Sequence, residues 1–226
     1  NTNEIEDSAA QCLRIVDAGG ELVRFTTQGQ KEAENLRIIH SKIREVDCHV
    51  PLVADIHFNA NVADLAAKYV EKVRINPGNY VGSVKTDLST DYTDEEYKLE
   101  YEKIKNRFTA FLEICKANNT AIRIGVNHGS LGERMLNRWG NTAEGMVESC
   151  MEFLRICRDQ KFDDVVISMK ASNTVMMLGA RSFIKCTTCF TRSNDSSTPL
   201  WATMGAKRVA ISASLFCKMY SWLNQM

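Results

Sequence analysis

The feature that constrains the fold most is an alternation of two hydrophobic periods between residues 5 and 173. Short, mostly apolar runs rich in β-branched residues alternate with amphipathic segments whose apolar residues recur every three or four positions. The runs predict five strands, at 22–27, 51–58, 72–79, 121–129 and 164–173, and the segments predict helices at 5–18, 31–46, 60–71, 94–117 and 142–159. Strands separated by helices pair in parallel. Because no G-x-G-x-x-G turn is found, this α/β pattern favours a (β/α)8 TIM-type barrel over a dinucleotide-binding sheet.

The predicted barrel is partial. A complete barrel of this type has eight parallel strands, and five are recognisable here with their flanking helices. Residues 179–226 contain a Ser/Thr-rich stretch and no strand–helix repeat. We therefore expect an incomplete TIM-barrel domain at 1–178 and a divergent tail without a domain of its own at 179–226. The first residue is Asn1, which indicates that the segment begins inside a longer gene product.

Capping signals mark the starts of the last two predicted helices. Residues 81–92 are polar and irregular, and Thr93 with Glu96 then has the spacing of a capping box. Asn141 with Glu144 has the same spacing. We therefore expect one helix to begin directly after Thr93 and the other directly after Asn141.

Composition excludes several function classes. The 226 residues carry 28 Lys and Arg against 28 Asp and Glu, so the formal net charge is zero. Nucleic-acid-binding proteins usually carry a basic excess, which argues against that role. The sequence contains no run of about 18 apolar residues, so no membrane span is predicted. Residues 1–15 also lack the basic start and apolar core of a signal peptide.

The eight cysteines are interpreted as free thiols. Four of them lie in amphipathic helical patterns, where free Cys behaves as a small core residue, and we expect a reducing compartment. Cys186 and Cys189 have the C-x-x-C spacing that can begin a zinc or iron–sulfur site. No second pair follows at ligand spacing, so this pair is interpreted as incidental. The four helical cysteines are Cys12, Cys115, Cys150 and Cys157.

Polar and charged side chains cluster at the carboxyl ends of the predicted strands. In a (β/α)8 barrel, the side chains that bind and react with substrate converge at those ends. Unpaired charge is costly inside a sheet, so the cations indicate a bound anion. Arginine also offers a planar fork that suits phosphate oxygens. The candidate substrate-binding residues are Arg24, Asp55, His57, Arg74, Asn76, Arg123, Asn127, His128, Ser168, Lys170, Ser172 and Asn173.

Each of these residues also has a structural explanation when it is taken alone. Asp55 could neutralise Arg74 across adjacent strands, and His57 could be a hydrogen-bonded core or rim histidine. Asn79, which follows a Pro-Gly pair, could serve only the turn. The set is the stronger indication, because the same register on five strands is hard to obtain from structural needs alone.

Six segments resemble the 4-hydroxy-3-methylbut-2-en-1-yl diphosphate synthase family, the iron–sulfur reductases of the non-mevalonate (methylerythritol phosphate) pathway of isoprenoid, or terpenoid, biosynthesis. Together they cover residues 1–178 in the expected order. The long helix after RINPGNY and the segment MVESCMEF are most similar to the Bacteroidetes-type and plastid-type, three-domain branch. The segments are VRFTTQG (23–29), PLVADIHFN (51–59), VRINPGNY (73–80), RIGVNHGSL (123–131), GMVESCMEFLRIC (145–157) and VVISMKASN (165–173).

The resemblance implies an oxidoreductase whose barrel binds 2-C-methyl-D-erythritol 2,4-cyclodiphosphate and opens it reductively to 4-hydroxy-3-methylbut-2-enyl diphosphate. In the family, a separate domain carries a 4Fe–4S cluster held by three Cys and one Glu. The cluster supplies two electrons that come from a ferredoxin or flavodoxin-type donor, and one hydroxyl leaves as water. Family members are often homodimeric and belong to the bacterial cytoplasm or the plastid stroma.

The resemblance also implies roles for the candidate residues. Asp55 and His57 would position the carbon skeleton, and Asn173 ends the last matching motif. Cations from four strands would grip the diphosphate, and amide, imidazole and hydroxyl groups would complete its hydrogen bonding. The cations are Arg24, Arg74, Arg123 and Lys170, and the hydrogen-bonding residues are Asn76, Asn127, His128, Ser168 and Ser172.

The sequence departs from the family pattern in three places. The first barrel strand is expected before Asn1, and no strand like the one that carries the family's catalytic glutamate follows Asn173. The Cys186 and Cys189 pair lacks the residues that flank the cluster ligands, so no catalytic residue and no metal ligand is assigned in this chain. We expect the chain alone to be inactive. Two other interpretations stay open: a non-catalytic truncated barrel that binds diphosphates or associates through open edges, and a pterin-binding, dihydropteroate synthase-like barrel.

Overall fold

The computed structural model describes residues 2–56, 58–81, 92–171, 173–176, 178–180 and 211–213. Six parallel strands in these ranges form one sheet and follow each other in chain order. The strands are β1 Val23–Thr27, β2 Leu52–Ile56, β3 Lys72–Ile75, β4 Ala121–Asn127, β5 Val165–Lys170 and β6 Ile211–Ala213. The helices are α1 Ile5–Asp17, α2 Gln30–Glu45, α3 Ala60–Ala66, α4 Pro77–Tyr80, α5 Asp94–Asn118, α6 Glu133–Trp139 and α7 Ala143–Asp159, and a 3-10 turn spans His128–Ser130.

The predicted architecture is confirmed for the first five strands, which are parallel and alternate with helices. A sixth strand, β6, lies in the tail for which the sequence predicts no element. It pairs in parallel with β5, and Ile211 lies opposite Ile167. A run of three residues is too short to show a hydrophobic period, so only its pairing identifies it as a strand.

The two faces of the sheet have different chemistry because successive side chains of a strand point to opposite sides. On β1, Val23 and Phe25 are buried in the hydrophobic core together with the helices, whereas Arg24 and Thr26 are exposed. On the next four strands the polar residues share the face opposite the helices, where Val53 and Val166 also lie. We call this the inner face. It carries Arg24, Thr26, Asp55, Lys72, Arg74, Arg123, Gly125, Asn127, Ser168 and Lys170, and Asn76 follows directly at the end of β3.

Helices cover the other face of the sheet. The four cysteines assigned to helical patterns, Cys12, Cys115, Cys150 and Cys157, are completely buried in the hydrophobic core, as predicted. Burial raises the pKa of the Cys12 thiol to about 11. Within the described ranges, no helix combines the length and the apolar character needed to cross a bilayer.

The helices differ from the sequence prediction at several points. Helix α3, predicted at 60–71, ends at Ala66, and just beyond this end the Thr120 hydroxyl donates to the Ala67 carbonyl at 2.6 Å. The predicted cap at Asn141 was wrong, since the Thr142 hydroxyl accepts from the Gly145 amide and caps α7. Helices α4 and α6 were not predicted, and α4 replaces the end of the strand predicted at 72–79. The capping box of Thr93 with Glu96 is confirmed at the start of α5.

Aromatic packing fixes the turn after β3. Tyr80, at the end of α4, is buried, and its ring meets those of Phe108 and Phe153 edge-on at 5.6 and 5.8 Å. Phe108 lies on α5 and Phe153 on α7, so two helices hold this turn from behind. Edge-to-face pairs of this kind add about 0.5–1.5 kcal/mol each beyond the burial of their area. The strand end that carries Asn76 is thereby fixed in place.

A buried ion pair joins α6 to α7. Both guanidinium nitrogens of Arg134 donate to the Glu152 carboxylate, at 2.7 and 2.5 Å, and both residues are buried. The Tyr97 hydroxyl donates to the same carboxylate at 2.9 Å, and the Arg134 guanidinium lies over the Tyr97 ring at 4.4 Å. Three helices therefore meet at one charged cluster.

Breaking this pair should destabilise the fold. Glu152→Gln leaves the buried Arg134 charge without its counter-charge, and removal of one partner of such a pair typically costs about 3–5 kcal/mol. Glu148→Gln on the same helix is the matched control, because its partner Arg155 is partly exposed and such pairs contribute about 0–1 kcal/mol. Urea unfolding measures both free energies. Equal losses in the two variants would contradict the assignment.

Candidate anion-binding site

Strand register brings the inner-face residues of neighbouring strands together. Asp55 on β2 lies opposite Arg74 on β3, and Arg74 lies opposite Arg123 on β4. On the far side of β2, Asp55 lies opposite Thr26 of β1. Parallel strands in this register stack charges from three strands in a single row across the sheet.

One carboxylate organises two of the arginines. Asp55 forms an ion pair with Arg74, Nη1 to Oδ1, at 3.0 Å, and a second with Arg24, Nη1 to Oδ2, at 3.5 Å. The Arg74 side chain is only 5% exposed, whereas that of Arg24 is 47% exposed. The structural role considered for Asp55, neutralising Arg74 across adjacent strands, is therefore present in the structure. The Arg24 guanidinium retains much of its surface for other partners.

Arg74 also reaches the strand on its other side. Its Nη2 donates to the carbonyl oxygen of Gly125 on β4 at 3.0 Å. The guanidinium thus lies across the sheet, with Asp55 of β2 on one side and Gly125 of β4 on the other. A buried charge needs this complete set of partners, because removing it from water without them is costly.

The row of cations continues on β4 and β5. Arg123 Nε donates to the hydroxyl oxygen of Ser168 at 3.0 Å, and Ser168 is buried. Lys170 lies two residues beyond Ser168 on the same face, opposite Asn127. Arg123 and Lys170 are both partly exposed. Their charged groups are therefore accessible from the open side of the sheet.

The cations repel one another. Burial, together with the positive charges of Arg24 and Arg74, lowers the pKa of Arg123. Burial, reinforced by Arg74, Arg24 and Arg123, likewise lowers the pKa of Lys170, and Asp55 only partly offsets this. Burial and nearby like charges both disfavour the charged form of these two side chains.

Lys72 is a member of this cluster that the sequence prediction missed. It lies two residues before Arg74 on the inner face, and burial together with the charge of Arg123 lowers its pKa. The signal was present in the alternation of KVRIN, which places Lys72, Arg74 and Asn76 on one side of β3. On the five long strands, the inner face carries the cations Arg24, Lys72, Arg74, Arg123 and Lys170 and the single carboxylate of Asp55.

Asn76 joins the ends of β3 and β4. Its Nδ2 donates to the Ser130 hydroxyl at 2.8 Å, and its Oδ1 accepts from the Gly78 amide at 3.3 Å. Gly78 packs so closely on the next turn that an added Cβ would lie 1.9 Å from the Ser130 carbonyl oxygen. Both ends of the Asn76 amide are therefore engaged in holding two strand-end turns together.

Three further predicted residues, Asn127, His128 and Asn173, lie at or after the ends of β4 and β5. Asn127 has a buried Oδ1 with no hydrogen-bond partner among the described residues. His128 Nε2 contacts the Asn141 carbonyl at 3.1 Å, and because a carbonyl only accepts, Nε2 carries the hydrogen there. Asn173 accepts from the Val175 amide at 2.8 Å and caps the turn that follows. His57 and Ser172 lie outside the described residues.

A cavity of about 320 Å³ lies elsewhere, behind the strand ends and between the helices. Gly78, Leu131, Arg134, Glu152 and Phe153 are among its lining residues, and none of the described candidate residues borders it. Its charged lining residues are Glu100, Glu133, Arg134 and Glu152, so carboxylates outnumber cations there, and Arg134 already pairs with Glu152. The inner face is the better candidate for binding a charged ligand, because its cations outnumber its carboxylate.

The described residues do not fit a metal cluster. Within the ranges that the structure covers, no group of three or more His, Cys, Asp or Glu side chains is arranged to hold a metal ion. The five cysteines there are free, and four of them are buried in the core. Cys186 and Cys189 lie outside the described residues. The inner face offers cationic and hydrogen-bonding side chains.

Known proteins similar to this chain match it over most of its length. The chain is 64% identical over 177 residues to a protein of Bacteroides fragilis, 52% over 180 residues to one of Porphyromonas gingivalis and 44% over 180 residues to one of Chlorobaculum tepidum. All three are named 4-hydroxy-3-methylbut-2-en-1-yl diphosphate synthase (flavodoxin). The matches cover 78%, 80% and 80% of this chain but only 28%, 31% and 24% of those proteins.

The match to a protein family covers most of the chain. The family is described as the GcpE TIM-barrel domain, and it matches residues 1–190. These residues include all five long strands and every cation of the inner face. The chain belongs to the GcpE TIM-barrel family.

Proposed function

We propose that the inner face binds a diphosphate, and that the ligand is a cyclic diphosphate of the methylerythritol type. The observation that carries the proposal is the row of Arg24, Arg74, Arg123 and Lys170 beside the single carboxylate of Asp55. Burial and the neighbouring cations lower the pKa values of Arg123 and Lys170. An anion placed among these groups would relieve their repulsion. The exposed phosphate oxygens would in turn receive charge-assisted hydrogen bonds.

The cations divide into two kinds by exposure. Arg24, Arg123 and Lys170 are accessible from the open side, and we assign to them direct contact with phosphate oxygens. Arg74 is almost fully buried between Asp55 and the Gly125 carbonyl, so it contributes a fixed positive charge. Asn127 offers a buried acceptor with no hydrogen-bond partner among the described residues, which suits a hydroxyl of the ligand. His57, His128, Ser168, Ser172 and Asn173 remain predicted contributors to binding.

The activity we infer belongs to a longer protein. The chain spans less than a third of the length of the curated relatives it matches, and these are named as flavodoxin-type synthases. We propose that residues 1–178 form the barrel part of such an oxidoreductase of isoprenoid biosynthesis, and that residues 179–226 add an edge strand but no domain. The 4Fe–4S cluster, the flavodoxin-type donor and the two electrons that open the ring belong to that whole protein.

Removal of one accessible arginine should weaken anion binding. Arg123→Ala is expected to lower the affinity for inorganic pyrophosphate by about 10-fold or more, because a hydrogen bond to a charged group contributes roughly 1.5–3 kcal/mol. Arg158→Ala, on the outer surface of α7, removes the same charge away from the inner face and should have little effect. Titration calorimetry measures both. Equal affinities of the wild type and Arg123→Ala would refute the site.

The affinity should also fall at alkaline pH. Lys170 has a pKa below its ordinary value, and a bound anion favours its charged form, so binding is strongest below that pKa and weakens as the pH rises through it. Sulfate is the suitable probe because its own charge stays constant between about pH 7 and about pH 10. Lys170→Arg should keep the neutral-pH affinity and reduce the alkaline loss to the part due to Lys72. An unchanged pH profile in that variant would exclude Lys170.

The chain by itself should not turn over the cyclic diphosphate. After incubation with iron, sulfide and a chemical reductant, the 226 residues are expected to bind the cyclodiphosphate but release no 4-hydroxy-3-methylbut-2-enyl diphosphate, because the described residues hold no cluster ligands. Product analysis by mass spectrometry tests this. Detectable product would show that the reduction needs nothing outside this chain.

A further inference from the structure

We propose that Gly125 is a positioning residue of the anion site, because the missing side chain leaves the space in which the Arg74 guanidinium lies. This inference rests on the proposed anion binding by the inner face and concerns how that site is built. Gly125 occupies the middle of β4, between Arg123 and Asn127 on the same face. Its position opposite Ser168 of β5 places it in the row of polar groups.

Space, and not backbone conformation, requires glycine at this position. Gly125 lies in a regular strand, and its φ is outside the left-handed region that favours glycine. A Cβ built on its backbone would lie 2.4 Å from Nε of Arg74, 3.0 Å from Nη2 and 3.1 Å from Cζ. Any other residue would therefore occupy the volume of the guanidinium.

Arg74 cannot yield without losing its partners. The side chain is 5% exposed, and its two terminal nitrogens are bound to Asp55 Oδ1 and to the Gly125 carbonyl oxygen, each at 3.0 Å. A shift that clears a new Cβ must lengthen at least one of these bonds. Gly125 thus acts on the Arg74 guanidinium in two ways. Its carbonyl accepts a hydrogen bond from Arg74, and the absence of a side chain leaves room for the guanidinium.

The effect extends to the accessible cations through Asp55. This carboxylate is shared between Arg74 and Arg24. When Arg74 is displaced, Arg24 becomes the closest remaining counter-charge of Asp55, and its guanidinium is drawn toward the sheet. The ligand would then lose both the fixed charge of Arg74 and the free orientation of Arg24. A single added methyl group on β4 should therefore weaken the site on β1 and β3.

The first test compares two Gly→Ala variants of the same chain. Gly125→Ala should lower sulfate affinity by about 10-fold or more. A loss of this size corresponds to one hydrogen bond to a charged group. Gly129→Ala is the matched control, because a Cβ there meets nothing within 4 Å. The NMR resonance of the Arg74 Nε–H group should shift in the first variant only. If the wild type binds sulfate and Gly125→Ala binds it equally, the positioning role is refuted.

A double-mutant cycle separates positioning from general destabilisation. In the Arg74→Ala background the guanidinium is absent, so adding Gly125→Ala should change neither sulfate affinity nor the free energy of unfolding appreciably. This cycle also decides the case in which Gly125→Ala alone does not fold. A double variant that folds like Arg74→Ala supports the role, and one that fails to fold overturns it. Failure of the wild type to bind sulfate would instead overturn the proposed function.

Discussion

The inner face depends on the placement of the Arg74 guanidinium between two strands. Its charge is almost completely removed from water, a state that is stable only because Asp55 and the Gly125 carbonyl both contact it. These contacts also require the observed register. A shift of β3 by one residue would turn Arg74 toward the helices and bring Val73 or Ile75 to the inner face. The hydrophobic core and the charged face are therefore specified by the same pairing of strands.

The architecture and the membership of the inner face could largely be predicted from sequence. In KVRIN and RIGVN, polar residues alternate with β-branched ones, and this period of two is enough to place Arg74, Asn76, Arg123 and Asn127 on one side. Helix α5 could be located from its capping box and its long apolar stripe. These features depend on residues that are close together in the sequence, so they can be recognised from the sequence alone.

Features that depend on contacts between distant segments could not be predicted in this way. The role of Gly125 arises from a residue 51 positions earlier in the chain, and the Asn76 amide is engaged by Ser130, 54 positions later. The N-cap of α7 at Thr142 was missed because Asn141 and Thr142 are both good capping residues and sequence spacing alone favoured the wrong one. Helix α6 has seven residues, too few for a clear period, and is held by the Arg134 contact with α7.

The excess of positive charge on the inner face has a consequence for folding itself. Unfolding would separate Arg24, Arg74, Arg123 and Lys170, so their repulsion opposes the folded state whenever the face is empty. An anion that binds only the folded chain reverses this, and at a hundredfold excess over its Kd it adds about 2.7 kcal/mol to stability. Folding and anion binding are then coupled equilibria. The concentration of phosphate around the protein therefore influences what fraction of the chains is folded.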